Sequence, residues 1–207
     1  MTLPAEDDVA AAPDLLETTD VASLPTMHAT FRVVAFGAPL AREEHVALVL
    51  GDVAGEDVLA RVHSACLTGD VFGSARCDCG PQLDLALAEI AKAGRGVLLY
   101  LNQEGRGIGL ANKIRAYALQ ETGLDTVKAN ESLGFPGDLR QYDSAVAMLR
   151  RLGVASVRLM TNNPAKVLAL EQGGIRVAAR VPHVAGATEA NRAYLAAKRA
   201  LMGHLLD

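Results

Sequence analysis

GVLLYLNQEGRGIGLANKIRAYALQ, residues 96–120, decides the fold class. Its opening, Gly96–Asn102, is a short apolar run bounded by glycine and a polar turn, which reads as a buried strand. Its close, from Ala111, carries Ile114, Tyr117 and Ala118 at helical spacing. A glycine-rich turn joins the two. A strand passing through a short turn into a helix is the building unit of an α/β domain.

Downstream the alternation continues. DSAVAMLRRLG (143–153) reads as a helix, SVRLM (156–160) as a strand, NPAKVLALEQGG (163–174) as a helix and RVAARV (176–181) as a strand. Upstream, PQLDLALAEIAKAG (81–94) sets Leu83, Leu87, Ile90 and Ala91 on one helical face, with Gly94 as the stop. Before it come strand-like runs at 30–36, 45–52 and 58–64, and GDVAGED (51–57) predicts a hairpin turn between the last two. The expected architecture is α/β with a mixed sheet, antiparallel strands at the start and parallel α/β units later.

Half of the 207 residues are apolar and 21% are charged, ordinary for a soluble globular chain. No apolar run is long enough for a bilayer, and the N-terminus shows neither a basic nor an apolar leader region. A cytoplasmic, reducing compartment is therefore expected, and there clustered cysteines bind metal or react more often than they crosslink. Residues 1–31 hold six acids (Glu6, Asp7, Asp8, Asp14, Glu17, Asp20) and no Lys or Arg. Removing them from the formal charge of −4 leaves +2 for the rest, so no basic face for nucleic acid is expected. Residues 1–28 are expected to be a disordered acidic tail and 29–207 the functional domain.

The three cysteines, Cys66, Cys77 and Cys79, lie together in CLTGDVFGSARCDCG, a stretch rich in Gly, Ser and Asp that reads as a loop. If the segment is extended, the CxC pair points both sulfurs one way, and a glycine-containing loop can return Cys66 to them. Three thiolates with an open fourth position suit a catalytic zinc, whose bound water has a pKa of about 7. A structural zinc closed by His63 or a distant ligand, a redox pair and plain buried cysteines are the alternatives. GRGIG resembles a phosphate-binding turn without fitting either common glycine motif. TNNPAK, from Thr161, also sits between a strand and a helix. Thr161, Asn162, Asn163 and Lys166 suit phosphate there, with helix capping by an Asn as the alternative.

RVHSACLTGDVFGSARCDCGPQL, YLNQEGRGIGLANKIRAYALQ with DTVKAN and LGFPGDLRQY, and LMTNNPAKV, taken in order, resemble GTP cyclohydrolase II, the enzyme that opens the riboflavin pathway. The resemblance runs from about residue 29 to the C-terminus. It implies hydrolysis of GTP to 2,5-diamino-6-ribosylamino-4(3H)-pyrimidinone 5′-phosphate, formate and pyrophosphate. It implies one zinc ion on Cys66, Cys77 and Cys79, and magnesium on the triphosphate. It assigns the GTP site to Arg61, Val62, His63, Ser64, Ala65, Gln82, Glu104, Gly105, Arg106, Thr126, Thr161 and Lys166. It makes Tyr117 an aid to ring hydrolysis, Asp138 the proton acceptor and Arg140 the group proposed to attack the α-phosphorus. A guanidinium has no free lone pair, so stabilising phosphoryl charge is the role its chemistry supports. The resemblance further implies a homodimer. In bifunctional relatives a dihydroxybutanone phosphate synthase domain precedes this one; a monofunctional form is expected here.

Ala65 stands where many members carry Glu, Asn102 where Arg is expected, and Gln141 where an acid is common. These departures motivate two alternative expectations. One is a paralogue that stops at the formylated intermediate or takes another purine nucleotide. The other is a non-catalytic nucleotide-binding regulator with structural zinc.

Overall fold

The computed structural model describes residues 21–37, 44–124, 126–136 and 138–205. Strands β1 (Ala22–Pro25), β2 (Thr30–Phe36), β3 (His45–Leu50), β4 (Val58–Ser64), β5 (Gly96–Leu101), β6 (Ser156–Met160) and β7 (Arg176–Val181) form one sheet. Its order is β1-β2-β3-β5-β4-β6-β7. Pairing is antiparallel from β1 through β5 and parallel from β5 through β7, the mixed sheet the sequence predicts.

The hairpin expected at residues 51–57 does not form. β5 lies between β3 and β4, with Leu98 opposite both Leu48 and Arg61. The reason is burial. β3 alternates buried and half-buried residues, whereas β4 is buried continuously from Val58 to His63. A continuously buried strand needs cover on both faces and a neighbour on each edge, the condition of a central parallel strand. The 51–57 connection is instead pinned by Arg95, which donates to the carbonyls of Asp52, Ala54 and Glu56.

The expected tail boundary at residue 28 falls inside the fold. Ala22–Pro25 pairs with β2 as an exposed edge strand, and the Thr26 hydroxyl closes its turn by donating to the Ala29 carbonyl at 2.7 Å. Residues 1–20, to which the rest of that expectation applies, lie outside the described residues.

The helices are α1 (Leu67–Asp70), α2 (Cys79–Ala93), α3 (Gly109–Glu121), α4 (Thr126–Ser132), α5 (Asp143–Arg151), α6 (Pro164–Gln172) and α7 (Arg192–Met202). α2 ends at Gly94, whose φ of 68° makes the left-handed cap that only glycine adopts without strain. Its Ala86 and Ile90, flanked by Leu83 and Leu87, pack with Phe31, Leu98 and Met160 on one sheet face. Met148 and Leu149 of α5 and Leu170 of α6 pack with Val62, Leu99 and Leu159 on the other. Each such fully buried side chain contributes about 1.5–3 kcal/mol.

Two further expectations are corrected. The cysteine stretch is not all loop: Cys66 precedes α1, and Cys79 opens α2. The apolar face expected on α3 is not the packed one. Ile114 is 49% exposed and Ala118 is exposed, while Lys113 and Ala116 point inward. The inward side of α3 faces a polar cleft rather than the core, so its pattern inverts. Helices α4 and α7 form where no helix was expected. Among the described residues, no helix is long and apolar enough to cross a membrane.

Candidate active site

The parallel strands β4, β5 and β6 end side by side at Ser64, Leu101 and Met160. From β4 the chain passes to α2 on one sheet face; from β6 it passes to α6 on the other. Open α/β sheets bind ligands where successive connections diverge in this way, beyond the carboxyl ends of the strands. A cleft opens at that point.

The three thiols form one end of the cleft. Their sulfurs lie within 4.8 Å of one another, and Cys66 and Cys77 are 3.7 Å apart. That is far beyond a disulfide bond of about 2.05 Å. It matches the ~3.8 Å between sulfurs on a tetrahedral zinc with bonds of about 2.3 Å. The backbone makes room for the cluster. A Cβ on Gly69 would lie 2.7 Å from the Cys77 sulfur, and one on Gly80 would lie 2.4 Å from the Gly69 carbonyl. Only glycines let α1 and α2 approach this closely. The residues present therefore fit a thiolate-bound metal ion.

His63, the nearest candidate for a fourth ligand, turns elsewhere. Its Nε2 is 3.1 Å from both oxygens of Asp70, and burial lowers its pKa. Among the described residues, no other His or carboxylate joins the three sulfurs. Asp70 also accepts from the Cys66 backbone N–H at 3.0 Å and from the Tyr100 hydroxyl at 2.8 Å. Glu104 grips the next residue, accepting from the Leu67 N–H at 2.6 Å, and accepts from the Gly105 N–H and from Lys113 Nζ. Lys113 Nζ in turn lies 3.1 Å from the Cys66 sulfur. Hydrogen bonds from Cys77 and Cys79, with the Lys113 ammonium added, hold the Cys66 thiol far below its ordinary range. The hydrogen bond to Cys66 pushes the Cys77 and Cys79 thiols up.

Glu104 opens a 3₁₀ turn, Glu104–Gly107, which is the predicted GRGIG feature. Arg106 sits in it at φ 62°, left-handed backbone that a non-glycine residue holds only when its surroundings enforce it. Among the described lining residues, six are cationic (Arg61, Arg106, Lys113, Arg140, Lys166 and Lys198) and one, Glu104, is a carboxylate. Arg61 donates to the Met160 carbonyl at 2.8 Å and to Gln82 Oε1 at 2.5 Å. Gln82 Nε2 donates to Asp78 at 2.6 Å, and Lys198 closes this chain on the other Asp78 oxygen at 2.6 Å. Burial lowers Arg61 to about 10. Burial, followed by the charges of Arg61, Arg140 and Lys198, pushes Lys166 well below the ordinary lysine range. Glu104, Asp78 and Asp138 offset the charges of Lys113, Lys198 and Arg140, while Arg61 and Lys166 rest on neutral acceptors, so the cleft still suits a polyanion.

Most expected site residues converge here: Arg61, His63, Ser64, Ala65, Cys66, Cys77, Cys79, Gln82, Glu104, Gly105, Arg106, Tyr117, Arg140, Thr161 and Lys166 all line the cleft. Val62 does not; its side chain is in the core, and its carbonyl accepts from Lys166 Nζ at 2.7 Å. Asp138 does not line the cleft either. It forks onto Arg140, accepting from Nε at 2.9 Å and from NH2, and although burial opposes this, Arg140 lowers its pKa. Thr126 opens α4, and its side chain lies outside the described residues. Asn163 caps α6, accepting from the Ala165 N–H at 3.0 Å, the alternative weighed for that segment. The Tyr117 hydroxyl is 3.3 Å from that of Thr68, and burial raises its pKa. Asn102 and Gln141 are exposed. Lys113, Asn130, Tyr194, Lys198 and His204 also line the cleft, and no sequence pattern had marked them.

The fold and site together define an α/β protein whose parallel-strand edge joins a metal-competent thiol centre to a cationic cleft. The profile of one family, GTP cyclohydrolase II, matches residues 17–182. The chain belongs to that family. It is 56% identical over 186 residues to riboflavin biosynthesis protein RibBA of Bacillus mycoides, covering 89% of this chain and 47% of that protein. RibBA of Bacillus cytotoxicus is 54% identical over the same share. The chain thus spans about half the length of the curated relatives it matches. RibBX of A. baumannii, a two-domain 3,4-dihydroxy-2-butanone 4-phosphate synthase, superposes with a TM-score of 0.44 at 20% identity, over 81% of this chain and 39% of that one.

Proposed function

We propose that this chain catalyses the reaction of its family in riboflavin biosynthesis. That reaction converts GTP to 2,5-diamino-6-ribosylamino-4(3H)-pyrimidinone 5′-phosphate, formate and pyrophosphate. The carrying observation is the junction of three clustered thiols with six cationic side chains in one cleft. Cys66, Cys77 and Cys79 hold zinc in this reading, which when bound supplies a Lewis acid and an activated water for carbon 8 of the guanine.

The remaining chemistry belongs to the chain itself. Asp70 and Glu104 fix the backbone at Cys66 and Leu67, and with it the sulfur position. Arg61, Arg106 and Lys166 bind the triphosphate, and magnesium, when present, would help neutralise its charge. Asp138 aims Arg140, whose guanidinium stabilises charge developing on the α-phosphoryl group. Tyr117, kept neutral by burial, is a proton donor beside the thiols. Thr126 and Thr161 complete the nucleotide contacts. We further propose, from the family resemblance, that the protein is a homodimer and works in the cytoplasm. Light scattering that finds only monomer at micromolar concentration rejects the dimer.

Zinc-replete protein incubated with GTP and magnesium is expected to release formate and pyrophosphate; absence of formate overturns the proposal. Cys79→Ser is expected to lose zinc and formate release while keeping its circular dichroism.

A further inference from the structure

The family profile stops at residue 182, and every residue assigned so far to substrate lies before it. Yet Tyr194, Lys198 and His204 form one wall of the cleft. We infer that α7 and the turn after it are a clasp that completes the polyphosphate subsite, with His204 touching the phosphate chain and Lys198 positioning the clasp. This inference rests on the GTP reading and extends it to the C-terminal segment.

The clasp is tied down along its length. Ahead of it, the buried Asn191 accepts from the Thr188 N–H at 2.9 Å and donates to the Gly186 carbonyl at 2.6 Å. Gly186 packs on Pro81 at the start of α2, so closely that a Cβ would lie 2.6 Å from the proline ring. At mid-helix, Lys198 Nζ meets Asp78 at 2.6 Å. Asp78 stands between two of the metal-competent cysteines, so this buried ion pair joins the clasp to the thiol segment. Past the helix, the Leu205 N–H donates to the Asn162 carbonyl at 2.9 Å, fixing the turn onto the loop between β6 and α6.

That geometry sets His204 in the wall of the cationic cleft. Its Nε2 is buried with no hydrogen-bond partner among the described residues. Burial, then Lys198, Arg140 and Lys166, lowers its pKa to about 4, so the ring is neutral at pH 7. The partnerless Nε2 shares its cleft with several cations, and an oxyanion would accept a hydrogen bond from its N–H and offset their charge. A phosphoryl oxygen does both. Lys198 has its own anion in Asp78, so it acts through the position of the clasp rather than by touching substrate.

The test compares zinc-loaded wild type with His204→Ala, His204→Gln and Lys198→Met, and with Arg192→Ala on the outer side of α7 as control. Steady-state kinetics with GTP give KM and kcat, and calorimetry gives the Kd of inorganic pyrophosphate. Zinc content and circular dichroism check integrity. Losing a hydrogen bond to a charged oxygen weakens binding about tenfold to a hundredfold. His204→Ala is therefore expected to raise KM and the pyrophosphate Kd by that factor, with kcat changed less and zinc unchanged. His204→Gln retains an N–H donor and is expected to recover part of the loss. Lys198→Met is expected to raise both constants, and Arg192→Ala neither. Unchanged constants in His204→Ala overturn the clasp. Should His204→Ala misfold, unchanged constants in both His204→Gln and Lys198→Met overturn it equally. Should wild type release no formate, the GTP reading fails, and the pyrophosphate Kd still decides the clasp.

Discussion

Gly69→Ala isolates the geometry of the thiol cluster without touching a sulfur. Gly69 lies in α1, where alanine is the better helix former by about 1 kcal/mol, so local propensity favours the variant. Sterics oppose it. The new methyl would stand 2.7 Å from the Cys77 sulfur, 3.0 Å from Cys79 Cβ and 3.3 Å from the Cys66 sulfur. Ordinary contact begins at 3.4 Å, so the Cys77 contact is short by ~0.7 Å. All three neighbours belong to the clustered cysteines, packed where α1 and α2 meet. Overpacking of this kind costs about 1–3 kcal/mol. If the sulfurs spread to relieve it, that cost falls on the metal-bound arrangement and weakens zinc about 5- to 150-fold. If they hold, the fold loses the same amount of stability. The assay is zinc competition against a chromophoric chelator together with a thermal melt. Gly73→Ala serves as control: its Cβ meets nothing within 4 Å, and only its φ of +62° is strained, so it is expected to lose stability without losing zinc affinity. A Gly69→Ala protein with wild-type zinc affinity and an unchanged melt would refute the reasoning.

Three further outcomes are expected. Asp138→Asn frees the Arg140 guanidinium and is expected to lower kcat about tenfold or more with zinc content unchanged; wild-type turnover rejects the aiming role. Polyanion binding should raise the depressed Lys166 pKa, so the complex holds more protons than the free protein. Pyrophosphate or GTP binding is then expected to take up protons and to weaken as pH rises through the window between the two pKa values, read by calorimetry in buffers of different ionisation enthalpy. Burial and Arg61 lower His183 from 6.5 to about 4, so the unfolded chain binds its proton first as pH falls. Stability is expected to drop between pH 6.5 and 4 by up to about 3 kcal/mol from this group. His183→Gln should flatten that part of the melting-temperature profile, and an unaltered profile rejects the assignment.

Local chemistry made much of this protein legible before its fold was known. Gly94 ends α2 because few other residues adopt its backbone angle. The glycines of residues 105–109 mark a strand-to-helix turn for the same reason. The spacing of three cysteines bounded the metal readings, although the expected extended CxC segment is in fact the entry to a helix. Strand partners were not legible. The hairpin at 51–57 failed because turn residues describe a bend and not what lies beside it. β5, over thirty residues downstream, takes the place between β3 and β4, since only there is continuously buried β4 covered on both edges.

The cleft followed the same division. Residues inside glycine-rich or cysteine-rich motifs were visible, because backbone conformation and ligand spacing are local properties. Lys113 lay off the apolar face expected for its helix, Lys198 and His204 fell in a stretch where no element was expected, and nothing in their local pattern carried a sign of burial. Sequence alone determined which segments bend, most of the strands and which atoms could bind a soft metal ion. Tertiary structure alone decided which distant side chains share one cavity, because electrostatic coupling depends on separation in space, and the folded chain links residue 61 to 82, 82 to 78 and 78 to 198.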